Sequence, residues 1–187
     1  MVIRELEDLS MKKCQFKVSI NNYEDDNGVE IEGQKYKVGP KGIDDIEFMI
    51  SPNPGERLRS LARIVSGGEV SRIMLALKSI LSEVDQVPTL IFDEIDSGVG
   101  ARLGEVIAQK LRNLAEKRQV ICVTHLPQIA CRAARHFYIV KYILDNQTGI
   151  ELREIRGEER VKEIARMLDG NQMSEITIQH AQKMLDR

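Results

Sequence analysis

The feature that most constrains the fold is a series of short apolar runs that alternate with helix-like segments after residue 65. The runs are Thr89–Phe92, Val120–Val123 and Phe137–Val140. Each is too short for a helix and is bounded by polar residues or turn signals, which is typical of buried strands. Apolar residues at helical spacing, at 67–84 and 103–114, precede the first and second runs. Because strands covered on both faces are continuously apolar, this pattern predicts an α/β fold, with a largely parallel sheet flanked by helices.

The first third of the chain differs, because its patterns predict a β-rich lead-in to the α/β part. Apolar and polar residues alternate through Gln15–Ile20, which is the period of a half-buried strand. A hairpin is predicted at 29–38, with Gly33-Gln34 at its turn. Ile46–Ile50 predicts a further strand, which ends at the Pro- and Gly-containing run 51–55. Helical spacing marks three other segments, 1–10, 158–168 and 174–185.

Composition and charge exclude several classes of function. The 27 Lys and Arg residues nearly balance the 29 Asp and Glu residues, which argues against a mainly basic nucleic-acid coat and against an acidic disordered tail. No apolar run approaches the roughly 18 residues that a membrane span needs, and the charged N-terminus does not resemble a signal peptide. Three cysteines fit a reducing compartment better than a disulfide framework. We therefore expect a soluble, cytoplasmic protein with no membrane partner.

Two acids, Asp93 and Glu94, directly follow the first apolar run. Carboxylates at the end of a buried strand are costly unless a cation or a water uses them, and open α/β sheets bind their ligands at this end of the strands. One carboxylate can hold Mg²⁺, directly or through water, while its neighbour polarises an attacking water. Taken alone, the pair is explained equally well as an ordinary exit from a strand.

A second candidate site, Ser66-Gly67-Gly68-Glu69, opens the helix predicted at 67–84. Gly67 and Gly68 leave backbone N–H groups bare at a helix N-terminus, which favours an anion such as phosphate. Ser66 and Glu69 also have the three-residue spacing of a capping box. Capping is the simpler interpretation when this segment is considered by itself.

A third candidate, His125, follows the second apolar run by way of Thr124. Neighbouring parallel strands end at the same edge of a sheet, so His125 is expected at the edge that carries Asp93 and Glu94. This position favours a role in sensing phosphate or in handling a proton. A lone histidine at a strand end is nevertheless most often a satisfied surface residue.

The order and spacing of these segments resemble the ABC-type ATPase heads of the SMC family. In that comparison, Ser66–Glu69 is the signature motif and Thr89–Glu94 is the Walker B strand. Asp96–Gly100, directly behind the acid pair, is the D-loop, and His125 is the switch histidine. The resemblance therefore implies the C-terminal lobe of a P-loop NTPase head.

Two positions indicate which branch of the family the chain resembles. A transporter ATPase more typically has Gln after the two glycines and Pro after the acid pair, whereas this chain has Glu69 and Ile95. These residues favour the chromosome-maintenance and repair branch. Within it, the chain resembles the bacterial RecN family of DNA-repair ATPases over five segments: Ile50–Glu56, Ser66–Lys78, Phe92–Gly98, Val123–Gln128 and Val161–Leu168.

The resemblance implies ATP and Mg²⁺ as cofactors and a role for each matching residue. Asp93 would support Mg²⁺, through water, and Glu94 would position or activate the attacking water. His125 would contact the γ-phosphate of ATP. The implied nucleotide contacts of the signature motif and the D-loop are Ser66, Gly67, Gly68, Glu69, Asp96, Ser97 and Gly98.

The resemblance also implies that part of the ATPase head lies outside this sequence. The chain contains no Gly-x-x-x-x-Gly-Lys-Ser/Thr segment, the Walker A loop that cradles phosphates. In this family that loop belongs to an N-terminal lobe, which a coiled coil separates from the C-terminal lobe. We therefore expect residues 1–10 to be the end of a coiled-coil helix and residues 11–187 to be the C-terminal lobe.

The implied partners follow from this division of the head. They are the N-terminal Walker A lobe of the same protein, and a second head that meets the nucleotide through its signature motif in trans. DNA would be engaged by the full-length assembly, in double-strand-break repair and recombination. The implied location is the bacterial cytoplasm, in association with the nucleoid.

Two other classes of function remain open. One is a catalytically inert DNA- or protein-interaction module that keeps the ABC fold. The other is an ABC transporter nucleotide-binding domain, against which Glu69 and Ile95 argue. Two basic groups could supply the phosphate contacts of an interaction module: Arg57, Arg59 and Arg63, or Lys110, Arg112, Lys117 and Arg118. Glu116 and the overall balance of charge favour ordinary solvated helix faces over such patches.

Overall fold

The computed structural model describes residues 1–64, 67–144, 147–170 and 172–186. They form two compact units, Met1–Ala76 and Leu77–Arg187. Strands predominate in the first unit, and helices alternate with strands in much of the second, so the predicted α/β class is confirmed. Among the described residues, no helix has both the length and the apolar character that crossing a membrane requires.

The first unit is built mainly from antiparallel strands. Strand β1 (Gln15–Asn21) pairs with β4 (Asp45–Ser51), so the strands predicted at 15–20 and 46–50 are confirmed. Strand β4 also pairs with the short β5. The other elements of this unit are α1 (Val2–Asp8), β2 (Glu24–Ile31), β3 (Gln34–Tyr36), β5 (Arg59–Ser60), a 3-10 turn (Leu61–Arg63) and the first turns of α2 (Gly67–Ile80).

The predicted hairpin forms between β2 and β3, but its turn lies one residue earlier than predicted. Ile31 pairs with Gln34, so the connecting residues are Glu32 and Gly33. Their φ angles are 53° and 84°. Two successive residues with positive φ are the geometry of a type I′ turn, whose twist matches that of the flanking strands. Gly33 therefore takes the second turn position, and Gln34 belongs to the strand.

One face of the β1–β4 pair is apolar, and half of it is exposed, unlike the half-buried strand predicted at 15–20. Val18 lies opposite Phe48, and Ile20 lies opposite Ile46. These four side chains are between 41% and 60% exposed. The alternation was predicted correctly, but burial also needs a second layer over that face. Ile50, which lies opposite Phe16 on the same face, is fully buried, so among the described residues of the first unit only the end that carries these four side chains lacks a covering layer.

The second unit contains the parallel strand pair that the first two apolar runs predicted. Strand β6 (Thr89–Phe92) and strand β7 (Gln119–Cys122) pair in parallel, with Phe92 beside Cys122. Helix α3 (Ala101–Ala115) connects the two strands. This strand–helix–strand unit places the ends of both strands at one edge of the sheet.

The parallel pair is covered on one face rather than on both. Leu90 and Phe92 are 6% and 4% exposed, whereas Ile91 is 69% and Ile121 is 44% exposed. Successive side chains of a strand point to opposite faces, so alternate residues of one apolar run meet different surroundings. The expectation of cover on both faces is therefore wrong for the described residues.

The third apolar run, at 137–140, does not extend a parallel sheet in the part of the chain that the structure describes. It lies in β8 (His136–Leu144), which pairs antiparallel with β9 (Gln147–Ile155), a strand that was not predicted. Ile150 and Leu152 alternate with charged residues in β9, and this period-two pattern could have predicted the strand. Helices α4 (Pro127–Ala130), α5 (Gly157–Asp169) and α6 (Glu175–Leu185) complete the unit, and the last two confirm the predicted C-terminal helices.

Helix α2 ends at Ile80, four residues before the predicted end. Beyond it, Arg118 donates hydrogen bonds to the carbonyl oxygens of Ser82 (2.7 Å) and Asp85 (3.3 Å). The carboxylate of Asp85 also pairs with Lys78 at 2.6 Å and with Arg118 at 3.3 Å. The segment 81–84 forms turns, in which the N–H of Asp85 donates to the carbonyl of Leu81 at 2.9 Å, and the contacts of Arg118 fix these turns in place of a continued regular helix. Helical spacing could not show this, because Arg118 lies far along the sequence.

Replacing Arg118 with methionine is expected to lower the free energy of unfolding by about 2–4 kcal/mol, since two carbonyl groups lose a charged donor in a poorly solvated place. The side chain of Arg118 is only 5% exposed. Lys117→Met is the matched control, because Lys117 is 54% exposed and its ion pair with Glu83 should contribute little. Urea denaturation measures both variants, and equal losses would contradict this prediction. The burial of Arg118 also removes it from the basic side chains available to DNA.

Candidate functional site

The carboxyl ends of β6 and β7 form one edge that carries the candidate residues of the second unit. Beyond the pairing of Phe92 with Cys122, the N–H of Val123 donates to the carbonyl of Phe92 at 2.9 Å. The ladder thus continues up to the residues that follow each strand. Three predicted site residues therefore lie at this one edge: Asp93 and Glu94 after β6, and His125 after β7.

The backbone turns sharply at Glu94, directly after β6. Its φ angle is 56°, in the left-handed region that residues other than glycine seldom adopt. Such a conformation persists only where the surroundings hold it. Here Ile95 is fully buried, and the N–H of Ser97 donates to the carbonyl of Glu94 at 3.0 Å. The turn anchors the backbone of Glu94 while its carboxylate stays exposed, which suits a group that acts on a bound ligand.

A buried aspartate connects the segment after β6 to the segment after β7. Asp96 is 2% exposed, and its Oδ2 atom accepts hydrogen bonds from Thr124 Oγ1 (2.5 Å) and from the N–H of His125 (2.8 Å). The imidazole Nδ1 of His125 lies 3.1 Å from the same oxygen. Thr124 Oγ1 in turn accepts the N–H of Leu126 at 3.0 Å. These contacts fix the geometry of His125 relative to the turn at Glu94.

The nucleotide-binding role that the resemblance implied for Asp96 stays a prediction. Its carboxylate faces Thr124 and His125 rather than solvent. Thr124 is the residue that motif spacing missed, and its only signal in the sequence was a hydroxyl side chain directly before the histidine.

The rest of the predicted D-loop is exposed except for the half-buried Val99, and it leads into α3. Ser97 and Gly98 are both exposed, and Gly98 has a φ of 69°, which favours glycine. The N–H of Val99 donates to the carbonyl of Asp96 at 3.1 Å, which closes a tight turn. Ser97 and Gly98 thus remain accessible to a ligand from outside.

The predicted signature motif lies in the first unit, at the start of α2. Ser66 lies outside the described residues, so its capping role stays a prediction. Gly67 is the first residue of the helix and is exposed, whereas Gly68 is buried. Glu69 lies in the first turn, where a carboxylate is favoured by the helix dipole.

The charge of Glu69 also acts on groups within the first unit. Burial lowers the pKa of Arg72, and the negative charge of Glu69 partly opposes that shift. Burial raises the pKa of the Cys14 thiol, and Glu69 raises it further. Glu69 therefore has an electrostatic role inside the unit, whatever it contacts outside.

The acid pair fits Mg²⁺ better than a metal that needs an all-protein ligand set. Across the described ranges, no group of three or more His, Cys, Asp or Glu side chains could hold a metal ion. Mg²⁺ is bound through one or two carboxylates together with substrate phosphates and water, which the exposed Asp93 and Glu94 can provide. Burial raises the pKa of Cys122 to about 12, with smaller contributions from Asp96 and Asp93, so this neighbouring thiol stays protonated.

The chain is similar along most of its length to bacterial DNA repair proteins named RecN. It is 43% identical to RecN of Halalkalibacterium halodurans over 182 residues, which are 97% of this chain and 31% of that protein. It is 49% identical to RecN of Treponema pallidum over 151 residues (81% of this chain, 26% of that protein). It is 40% identical to RecN of Bacillus subtilis over 186 residues (97% and 32%). The chain thus spans under a third of the length of these relatives, and no family model matches it.

A solved structure supports the same fold. The Smc head domain of Pyrococcus yayanosii, determined with a coiled coil and joint, aligns with 90% of this chain and 28% of its own, at a TM-score of 0.57 and 15% identity. Identity this low shows the fold alone, which is that of part of an SMC head. Together with the RecN relatives at 40–49% identity, it leads to one conclusion. The chain belongs to the RecN family of bacterial DNA repair proteins and corresponds to their C-terminal region.

Proposed function

We propose that this chain is the C-terminal lobe of an ATPase head that binds and hydrolyses ATP in the full-length protein, during repair of DNA double-strand breaks by recombination. One observation carries the proposal: an exposed acid pair, Asp93 and Glu94, shares a sheet edge with His125, and a buried aspartate, Asp96, holds that histidine. An acid pair and a positioned histidine at the end of parallel strands suit phosphate chemistry. The RecN relatives, named for DNA repair, support the biological setting.

Each side chain at this edge has a role in the proposed reaction. Phosphoryl transfer depends on positioning and on stabilisation of charge, so few groups are needed. Asp93 holds Mg²⁺, through water, and Glu94 positions or activates the attacking water. His125 contacts the γ-phosphate. Mg²⁺, when bound, would neutralise part of the phosphate charge. Ser97 and Gly98 contact the nucleotide.

The chain lacks a Walker A loop, so we propose that an N-terminal lobe of the same protein supplies it. Exposed apolar side chains support this partner, because large apolar patches usually mark surfaces that another segment covers. In the first unit they include Val18, Ile20, Ile46 and Phe48, and in the second they include Ile91 and Ile121. In this arrangement residues 1–10, which include α1, end the coiled coil between the lobes, and residues 11–187 form the C-terminal lobe.

A second head is the other proposed partner. Backbone N–H groups at Gly67 and Gly68 open α2, and a helix N-terminus attracts phosphate. The signature motif Ser66–Glu69 then meets the γ-phosphate of an ATP molecule that the opposite head binds. DNA contact follows from the closed, full-length assembly in the bacterial cytoplasm, at the nucleoid.

Replacing Ser66 with arginine in the full-length protein is expected to abolish ATP-dependent head dimerisation. The long arginine side chain would occupy the position that the proposal gives to the γ-phosphate of the opposite head's ATP. ATP binding to each separate head should persist. Sedimentation velocity with and without ATP measures the dimer, and binding of a fluorescent ATP analogue measures the site. Thr148→Arg, at an exposed position of β9, is the control for an added surface charge. ATP-dependent dimers at the parental level in Ser66→Arg would contradict the trans arrangement.

An inert DNA-interaction module remains the second candidate, on one observation. Arg57, Arg59 and Arg63 are all exposed in the first unit, so they are available to phosphates. A salt-dependent DNA-binding assay on this chain distinguishes the two candidates. Tight DNA binding that is lost when these arginines are replaced would favour the module, provided that Glu94→Gln also leaves the ATP turnover of the full-length protein unchanged. Membership of the RecN family argues against the transporter alternative.

A further inference from the structure

A single carboxylate oxygen, Oδ2 of Asp96, gathers three polar contacts around His125. Two are hydrogen bonds from Thr124 Oγ1 (2.5 Å) and from the N–H of His125 (2.8 Å). The third is imidazole Nδ1 of His125, at 3.1 Å. The carboxylate is 3% exposed, whereas the imidazole side chain is 69% exposed. The aspartate is thus an internal support, and the histidine presents the rest of its ring outward.

We propose that Asp96 fixes the tautomer of His125, so that Nδ1 carries the proton and Nε2 is the nitrogen offered to a ligand. An ionised carboxylate can only accept hydrogen bonds, so a ring nitrogen at 3.1 Å from it is favourable only when that nitrogen bears a proton. Neutral imidazole carries one N–H, and placing it on Nδ1 leaves a lone pair on Nε2. Asp96 is then a positioning residue for His125, and this inference rests on the proposed function of the edge.

Thr124 determines which way the hydrogen bonds of this cluster run. Its hydroxyl has one proton to donate, and its oxygen already accepts the N–H of Leu126 at 3.0 Å. The hydroxyl proton is therefore free to go to Asp96. Thr124 orients the carboxylate of Asp96, and the carboxylate orients the imidazole of His125.

The tautomer determines which hydrogen bonds the ring of His125 can make to a phosphate group. With Nε2 unprotonated, the neutral ring accepts a hydrogen bond from a water but cannot donate one to a phosphate oxygen. Donation from Nε2 to a phosphate requires the imidazolium form, in which both nitrogens carry protons. The proposed contact of His125 with the γ-phosphate through Nε2 therefore uses the doubly protonated ring, whereas the neutral ring can only accept a hydrogen bond at Nε2.

The test is the protonation state of each imidazole nitrogen, measured without nucleotide in this 187-residue chain. Long-range ¹H–¹⁵N correlation spectra of ¹⁵N-histidine-labelled protein distinguish protonated from unprotonated ring nitrogens. The chain has three histidines, and His125→Gln identifies the signals of His125 by their loss. At a pH where the ring is neutral, we expect protonated Nδ1 and unprotonated Nε2 in His125.

Two substitutions then distinguish a positioning role of Asp96 from a general effect on the structure. Asp96→Asn should shift the proton of His125 from Nδ1 towards Nε2, the site preferred in free neutral imidazole. Asp169→Asn is the matched control, because Asp169 also accepts from a threonine hydroxyl, Thr177 Oγ1, at 3.0 Å. It should leave the spectrum of His125 unchanged.

The wild-type spectrum decides the question even if Asp96→Asn does not fold. A neutral His125 with its proton mainly on Nε2 would overturn the inference, and so would an unchanged tautomer in folded Asp96→Asn. The measurement needs no ATP hydrolysis. Its failure is therefore distinguishable from failure of the proposed function, which is decided by turnover of the full-length protein.

Discussion

Full-length protein carrying Glu94→Gln is expected to bind ATP and form closed head dimers but to lose turnover by at least roughly 10²-fold, the usual cost of removing a general base or a charge-stabilising group. Glutamine keeps the size and the hydrogen-bonding capacity of the side chain, so the turn with its φ of 56° at this position should persist. It removes the negative charge and the proton acceptor. Phosphate release measures turnover, and sedimentation with ATP measures the dimer.

Glu116→Gln is the control for Glu94→Gln, because Glu116 is an exposed carboxylate at the end of α3, away from the strand ends in sequence. It should keep parental turnover. Equal turnover in Glu94→Gln and the parent would remove Glu94 from the reaction and with it the assignment of this edge. Loss of ATP binding in Glu94→Gln would contradict the proposal that Glu94 acts in hydrolysis and not in ATP binding.

The second large effect concerns the purified 187-residue chain, which is expected to show no ATP turnover above background. Nothing in its sequence provides the Walker A loop that holds the β- and γ-phosphates, so the acid pair has no positioned substrate. The full-length protein, assayed at the same molar concentration, should hydrolyse ATP. Adding the N-terminal lobe to the chain should restore part of that activity by completing the head.

Contaminating ATPases are the main hazard of this experiment, and Glu94→Gln in the same 187-residue chain controls for them. Phosphate release that is equal in the chain and in its Glu94→Gln variant comes from a contaminant and leaves the prediction standing. Release that disappears with Glu94→Gln belongs to the chain. That outcome would contradict the prediction, because the chain would then hold ATP without a Walker A loop.

The candidate site was predictable from sequence to the extent that it depends on neighbours along the chain. The short apolar runs at 89–92 and 120–123 correctly predicted a parallel pair, and their shared edge then follows from chain direction. The burial of Asp96 and its link to Thr124 were not predictable. They depend on how two loops, 28 residues apart between Thr124 and Asp96, meet in space.

The errors in the predicted fold have a similar origin. The run at 137–140 was assigned to the parallel sheet because its composition is apolar, but strand direction depends on the partner, here β9. The end of α2 was placed too late because Arg118 holds the chain after Ile80 in another path. In both cases a local pattern was correct, and a residue distant in sequence determined the outcome.

The short apolar runs by themselves determined that this chain builds an α/β lobe and that its acids and its histidine share one edge. The alternation of short apolar strands with a connecting helix is a local pattern, and two strands joined by such a helix run parallel and end at the same edge. Only the tertiary structure decided which faces of the strands are buried, that the third run pairs antiparallel, and that Asp96 supports His125. Burial, strand partners and hydrogen bonds between loops are set by packing between segments that are distant in sequence.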